Sequence, residues 1–88
     1  MKHYHLYIKG KVQGVYFRHR AKEKADEWGI KGYVKNESDG SIFIETEGHT
    51  DEAQKFLDWC RHGPPEAQVE DVRVEEKSVK NLEHFKIK

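Results

Sequence analysis

The stretch Gly10-Lys11-Val12-Gln13-Gly14-Val15-Tyr16-Phe17-Arg18 decides how this chain is read. Before it, Tyr4, Leu6 and Ile8 alternate with their neighbours in the manner of a strand; after it, Phe17, Ala21, Ala25 and Trp28 recur at the spacing of one helical face. The stretch is therefore a turn that leads from a strand into the start of a helix. The first N–H groups of a helix have no intrahelical acceptor, and the dipole is positive there. Such a turn can direct several amides at one anion. Arg18 adds a planar, permanently charged fork that matches a phosphate. Each feature has a plainer reading alone: turn glycines supply positive φ, and an arginine at a helix start usually faces solvent. The stretch is not a nucleotide-binding P-loop, because it lacks the second glycine followed by Lys and Ser/Thr.

Working outward, residues 3–9 are a first strand and about Phe17 to Trp28 a helix, with Gly29 as a left-handed stop. Ile30 to Asn36 reads as a second strand, and Glu37-Ser38-Asp39-Gly40 supplies hairpin turn chemistry. Ser41 to Glu47 alternates, with Ile42, Ile44 and Thr46 on one face. Thr50 is read as an N-cap, followed by Asp51 and Glu52 where the dipole favours acids. Ala53, Phe56, Leu57 and Cys60 continue a second helix, which Gly63-Pro64-Pro65 ends. Val69, Val72 and Val74 mark a fourth strand whose spacing slips by one, as at a bulge. Phe85 and Ile87 suggest a short fifth.

The order strand–helix–strand–strand–helix–strand is the ferredoxin-like split βαβ pattern, an α+β sandwich with an antiparallel sheet and both helices on one face. Leu6, Ile8, Ile42, Ile44, Ala21, Ala25, Phe56 and Leu57 are the expected core. The first and third strands are central and antiparallel in this pattern. The Gly10–Arg18 turn and the Asn36–Gly40 hairpin then lie at the same end of the sheet. An anion cradle, an arginine and the uncharged amide of Asn36 converge there.

The chain has 88 residues, enough for a single domain over 1–88 that buries somewhat more than ~60% of its unfolded surface. Sixteen basic residues balance sixteen acidic ones, so no bulk field gathers nucleic acid or membrane, and an anion site must be local. The lone Cys60 cannot form an internal disulfide. With no long apolar run and no signal-like start, a cytoplasmic protein without a membrane partner is expected.

Two long spaced motifs, Ile8-Lys9-Gly10-Lys11-Val12-Gln13-Gly14-Val15-Tyr16-Phe17-Arg18 and Gly32-Tyr33-Val34-Lys35-Asn36 followed by Gly40 and Gly48, resemble those of the acylphosphatases. Gly63-Pro64-Pro65-Glu66-Ala67 is a third, looser match, and the resemblance spans essentially the whole chain. It implies a hydrolase that cleaves the carboxyl–phosphate anhydride of a small-molecule acyl phosphate, with no metal, no cofactor and no covalent intermediate. Carried over by position, Arg18 is similar to the family's phosphate-binding arginine and Asn36 to its water-orienting asparagine. Gln13, Gly14, Val15, Tyr16, Phe17 and Arg18 correspond to the phosphate cradle. Tyr16 stands where glycine is common, Glu37 where a small hydroxyl residue is common, and Ile42 where valine is more usual. The acyl group is left unspecified, and a monomer is expected.

These residue types suit the chemistry. A carboxylate leaving group is a weak base and needs no strong general acid. The task is to bring water in line with an anionic phosphoryl group and to stabilise its spread charge. An amide can hold a water without adding negative charge, as a carboxylate would.

Competing signals are present. His3 and His5 share one side of a strand and His19 neighbours Arg18, yet no set with recognisable metal-ligand spacing emerges. His19 as a base is disfavoured because its place on the helix points it away. Cys60, Trp28 and Trp59 fit helix packing. An RNA-binding module could use the same architecture, stacking bases on an open sheet face that carries His5, Tyr7, Lys9, Phe43, Glu45 and Glu47. Its glutamates would repel phosphates, and no glycine–aromatic RNA signature lies on the third strand. A small-ligand regulatory module would keep the cradle without needing Asn36 opposite it.

Overall fold

The computed structural model describes residues 1–88. It contains β1 (Lys2–Lys11), α1 (Phe17–Trp28), β2 (Lys31–Asn36), β3 (Ile42–Gly48), α2 (Thr50–His62), β4 (Gln68–Lys77) and β5 (Phe85–Ile87). The strands are ordered β4-β1-β3-β2-β5. β1 and β3 are central and antiparallel, in register from Lys2↔Gly48 to Ile8↔Ile42. All eight residues expected in the core are buried. Leu6, Ile8, Ile42 and Ile44 from the sheet meet Phe17, Ala21 and Ala25 of α1 and Phe56, Leu57 and Cys60 of α2 in one cluster. Both helices therefore cover one face, giving a ferredoxin-like α+β sandwich. Trp28 and Trp59 pack at the edge of this cluster. Cys60 is fully enclosed, and burial pushes its thiol far above the ordinary range. No helix is long and apolar enough to cross a membrane.

Local signals place most boundaries. Gly29 takes φ 67° and its N–H caps the Ala25 carbonyl. The slip in β4 is a bulge: Lys9 pairs with Asp71 but Gly10 with Val69, leaving Glu70 as the extra residue. Thr50 is not the N-cap of α2. That position belongs to His49, which is extended and whose carbonyl already accepts the Ala53 N–H at 2.8 Å. The chain leaves β3 extended through His49 and turns helical at Thr50, one residue earlier than the threonine signal suggests.

Two expectations are corrected by the path of the chain between β4 and β5. The sheet is mixed, because β5 runs parallel to β2, with Gly32↔Phe85 and Val34↔Ile87 in register. β4 ends beside the start of β1, where Lys77 faces His3. The free edge of β2 lies on the other side of the sheet. Residues 78–84 cross at this end and enter β5 in the direction of β2. In doing so they form a strap over the face away from the helices, so that face is not the open platform an RNA-binding module would use. Phe43, Glu45, Glu47 and His3 are buried.

The strap is held by polar contacts. Glu47 accepts the N–H groups of Lys80 and Leu82 at 2.7 and 2.8 Å. Glu45 accepts the Lys80 ammonium at 2.8 Å. His3 lies between the two carboxylates, with Nδ1 2.7 Å from Glu47 and Nε2 3.0 Å from Glu45. Burial alone would push both carboxyls up. For Glu45 the Lys80 and His3 contacts outweigh it, and for Glu47 the strap amides and His3 do, so both sit below the ordinary carboxylate range.

Candidate active site

At the other end of the sheet, β1 gives way to the turn that precedes α1. Val12, Val15 and Phe17 are buried and anchor this turn in the core. Between those anchors the backbone takes left-handed values at Gly14 (φ 74°) and Tyr16 (φ 64°). Glycine adopts them freely, whereas Tyr16 gives up about 1–2 kcal/mol. Tyr16 is 68% exposed, so its conformation is set by the backbone rather than by packing of its side chain. The first helical bond runs from Arg20 N–H to the Tyr16 carbonyl at 3.0 Å. The amides of Phe17, Arg18 and His19 thus have no intrahelical acceptor.

Opposite this turn, β2 ends at Asn36, which pairs with Ile42 of β3. The hairpin is closed by Glu37 N–H to the Ser41 carbonyl at 2.8 Å. Asp39 accepts the Ser41 N–H and hydroxyl at 2.9 and 2.6 Å, and these bonds hold its carboxyl below the ordinary range. Turn and hairpin are tied together by one side chain. Gln13 Nε2 donates to the carbonyls of Glu37 at 2.7 Å and Ser41 at 2.9 Å.

Between them lies a pocket of about 260 Å³ lined by Val12, Gly14, Tyr16, Phe17, Arg18, His19 and Asn36. Arg18 and Asn36, far apart in sequence, share it. Arg18 Nη1 donates to the main-chain oxygen of Lys88 at 3.0 Å. Lys88 is itself held by its N–H on the Val34 carbonyl at 2.8 Å. That contact holds the guanidinium in place at the pocket. Asn36 Oδ1 is buried and has no hydrogen-bond partner. An unsatisfied buried carbonyl is costly, and a donor such as water is what it lacks. No acidic side chain lines the pocket.

The structure gives several residues places that the sequence did not indicate. Gln13 and Val15 lie outside the lining: the first is the tether and the second belongs to the core. Val12 and His19 do line it, and His19 is an exposed part of the rim rather than turned away. The Lys88 main-chain oxygen that steadies Arg18 had no signal in the sequence, being a backbone group 70 positions away. Together, a fixed cation, free amides and a neutral acceptor can hold a tetrahedral anion beside a water molecule.

Comparison with known proteins identifies the family. A family model described as Acylphosphatase matches residues 4–87. An acylphosphatase of Pyrobaculum aerophilum is 47% identical over 85 residues, covering 94% of this chain and 90% of that protein. One of Gloeobacter violaceus is 43% identical over 83 residues, covering 94% and 89%. The crystal structure of an acylphosphatase from Bacillus subtilis superposes with a TM-score of 0.94 at 35% identity, covering 99% of this chain and 98% of that one. The chain belongs to the acylphosphatase family, hydrolases that split acyl phosphates into a carboxylate and inorganic phosphate.

Proposed function

We propose that hydrolysis takes place in the pocket between the Gln13–Arg18 turn and Asn36, within a single folded unit spanning residues 1–88. The phosphoryl oxygens occupy the turn, where backbone amides and the Arg18 fork neutralise their charge. A water molecule donates one hydrogen bond to Asn36 Oδ1, which aims its lone pair at phosphorus. The water oxygen forms the new P–O bond as the bond to the acyl oxygen breaks. The electron pair leaves with the carboxylate, and the water proton passes to a phosphoryl oxygen. Neither a general base nor a metal is used in this sequence, because positioning and electrostatics lower the barrier. The acyl group extends past Tyr16 and His19 at the rim. The observation that carries this reading is the buried, unpartnered Asn36 Oδ1 in the same pocket as Arg18, with no acidic side chain in the lining.

The test is to separate the two roles with a chromogenic acyl phosphate and inorganic phosphate as inhibitor. Asn36→Ala should lose ~10²–10³ in kcat, the scale for one electrostatic donor, while phosphate still inhibits at nearly the wild-type concentration. Arg18→Ala should lose both turnover and phosphate inhibition, and Arg18→Lys should be impaired in both because it keeps charge without the fork. A chelator should leave wild-type turnover unchanged. Unaltered phosphate inhibition in Arg18→Ala would remove Arg18 from the cradle. A fully active Asn36→Asp beside an inactive Asn36→Ala would replace the water-orienting amide with a general base.

A further inference from the structure

We propose that His3, His5 and Glu45 form a binding site for one divalent transition-metal ion of the zinc class, on the sheet face away from the helices and at the opposite end from the phosphate pocket. His3 and His5 are two residues apart on β1, so both project from that face. The register sets His5 directly opposite Glu45 and His3 opposite Glu47 on β3. One ligand atom from each of His3, His5 and Glu45 lies within 4.8 Å of the other two. Glu45 Oε1 is 3.0 Å from His3 Nε2 and 3.4 Å from His5 Nε2. Tetrahedral bonds of the usual zinc lengths place ligand atoms about 3.3 Å apart, so small side-chain adjustments would admit the ion.

Two further observations point to a ligand rather than to a closed hydrogen-bond cluster. His5 Nε2 is buried and has no hydrogen-bond partner, despite its proximity to Glu45. Its ring is held edge-on against Phe43, at 5.2 Å between centroids. Secondly, His3 carries the support that metal-bound histidines use. Its Nδ1 is 2.7 Å from Glu47, and Glu47 is fixed in turn by the strap amides of Lys80 and Leu82. A carboxylate on the far ring nitrogen orients the imidazole and raises its basicity towards a metal.

A cation already uses part of this site. The Lys80 ammonium lies 2.8 Å from Glu45 Oε1 on a side chain that is 55% exposed, so it can swing into water when an ion arrives. Glu45 also lines an open pocket of about 260 Å³ along the strap, so one of the three ligands borders solvent-filled space. On binding, the ion takes the place of the Lys80 ammonium, and the proton shared between His3 Nε2 and Glu45 goes to solvent. The ion takes two nitrogens, one carboxylate oxygen and a water as fourth ligand. The spacing of His3 and His5 alone gave no such set, because its third member arrives only through strand register.

The test titrates metal-stripped protein with Co²⁺ and Zn²⁺, reading the visible Co²⁺ spectrum, Zn²⁺ calorimetry and the melting temperature. Wild type should bind one ion per chain, show the strong Co²⁺ absorption of a four-coordinate site, and melt higher with Zn²⁺ present. His5→Gln is the decisive variant, since His5 Nε2 has no hydrogen-bond partner and its loss should cost the metal-free protein little more than the edge contact with Phe43, a far smaller fall in melting temperature than His3→Leu. It should weaken Zn²⁺ binding more than ~10-fold, and Glu47→Gln by ~10–100-fold through the orientation of His3. His49→Gln and His62→Gln, at exposed positions, should change nothing. Unchanged affinity in His5→Gln would overturn the site. So would loss of binding in His62→Gln, which would assign the ion to surface histidines, or no Co²⁺ uptake by wild type at millimolar metal.

Discussion

The β1–β3 pair carries polar side chains at both ends, and the two ends treat them differently. At the Lys2–Gly48 end, His3, Glu45, Glu47 and the strap are matched donor to acceptor, and only the His5 nitrogen is left over. At the Ile8–Ile42 end, Arg18 is held by the main-chain oxygen of Lys88, the first amides of α1 have no intrahelical acceptor, and Asn36 Oδ1 has no partner. The first end spends its polar groups on holding the chain. In the proposed mechanism the second keeps them unsatisfied, in fixed positions, for a substrate that brings the missing charge and a water that brings the missing donor. Pre-positioned but unsatisfied groups cost stability and favour catalysis, because they need no rearrangement when charge develops.

The substitution that should break this comparison most severely is His3→Leu. It leaves two buried carboxylates without their shared partner, and the scale for an uncompensated buried charge is about 3–5 kcal/mol. That is a large share of the stability of a domain this size. Urea unfolding in the presence of chelator should show the loss. The kcat of the folded fraction should stay within about twofold of wild type, because the phosphate pocket lies at the other end. A loss below about 1 kcal/mol would mean that Lys80 and the strap amides satisfy the glutamates alone. A matching fall in kcat would mean that the two ends are not separable.

The two ends also differ in how far they could be read from the sequence. The cradle is contiguous, and its turn, helix start and arginine follow one another within nine residues. Each is a local effect: positive φ at Gly14, free amides at a helix start, period-3.6 burial in α1. Asn36 is identifiable because hairpin chemistry and the split βαβ order together place it at the same end. The bulge in β4 shows as a slipped valine spacing for the same local reason. The strap, the parallel β5 and the buried glutamates are not local. Glu45 and Glu47 occupy alternating strand positions that normally face water. What buries them is a segment more than thirty residues later, drawn across the sheet because β4 ends on the wrong side to reach β2. The same limit hid the Lys88 main-chain oxygen behind Arg18 and the part Gln13 plays. A glutamine in an anion loop looks like a cradle residue until the hairpin carbonyls are seen beside it.

Gln13→Ala sharpens the comparison within the catalytic end. It removes two hydrogen bonds that fix the hairpin to the turn and leaves the Glu37 and Ser41 carbonyls without those donors. The stability cost should be about 1–2 kcal/mol, measured by urea unfolding. The more telling readout is kinetic. If the tether sets the spacing between the phosphate and the water held by Asn36, kcat should fall about tenfold, less than the 10² that a misplacement of ~1 Å can cost. Phosphate inhibition should hardly change, since the cradle and Arg18 are intact. Equal losses in both would show that Gln13 shapes the cradle itself.

The smallest expected effect belongs to Tyr16, and it asks whether strain at the catalytic end has a use. Tyr16 occupies left-handed backbone space and is 68% exposed, so little packing compensates the conformation. Tyr16→Gly removes about 1–2 kcal/mol of strain but enlarges the entropy of the unfolded chain by roughly 0.5–1 kcal/mol. The net should be a gain of up to about 1 kcal/mol, seen as a rise in melting temperature. Tyr16→Ala serves as the control, because it removes the ring and keeps the strain. If the ring only narrows the mouth of the pocket, both variants should lower KM for a bulky aromatic acyl phosphate more than for a small one, with kcat unchanged. If instead the tyrosine conformation holds the amides of the turn in place, Tyr16→Ala should keep wild-type kcat and Tyr16→Gly should lose several-fold despite being the more stable protein. That second pattern would mean that the strain at this end is part of the site's pre-organisation and has no counterpart at the strapped end.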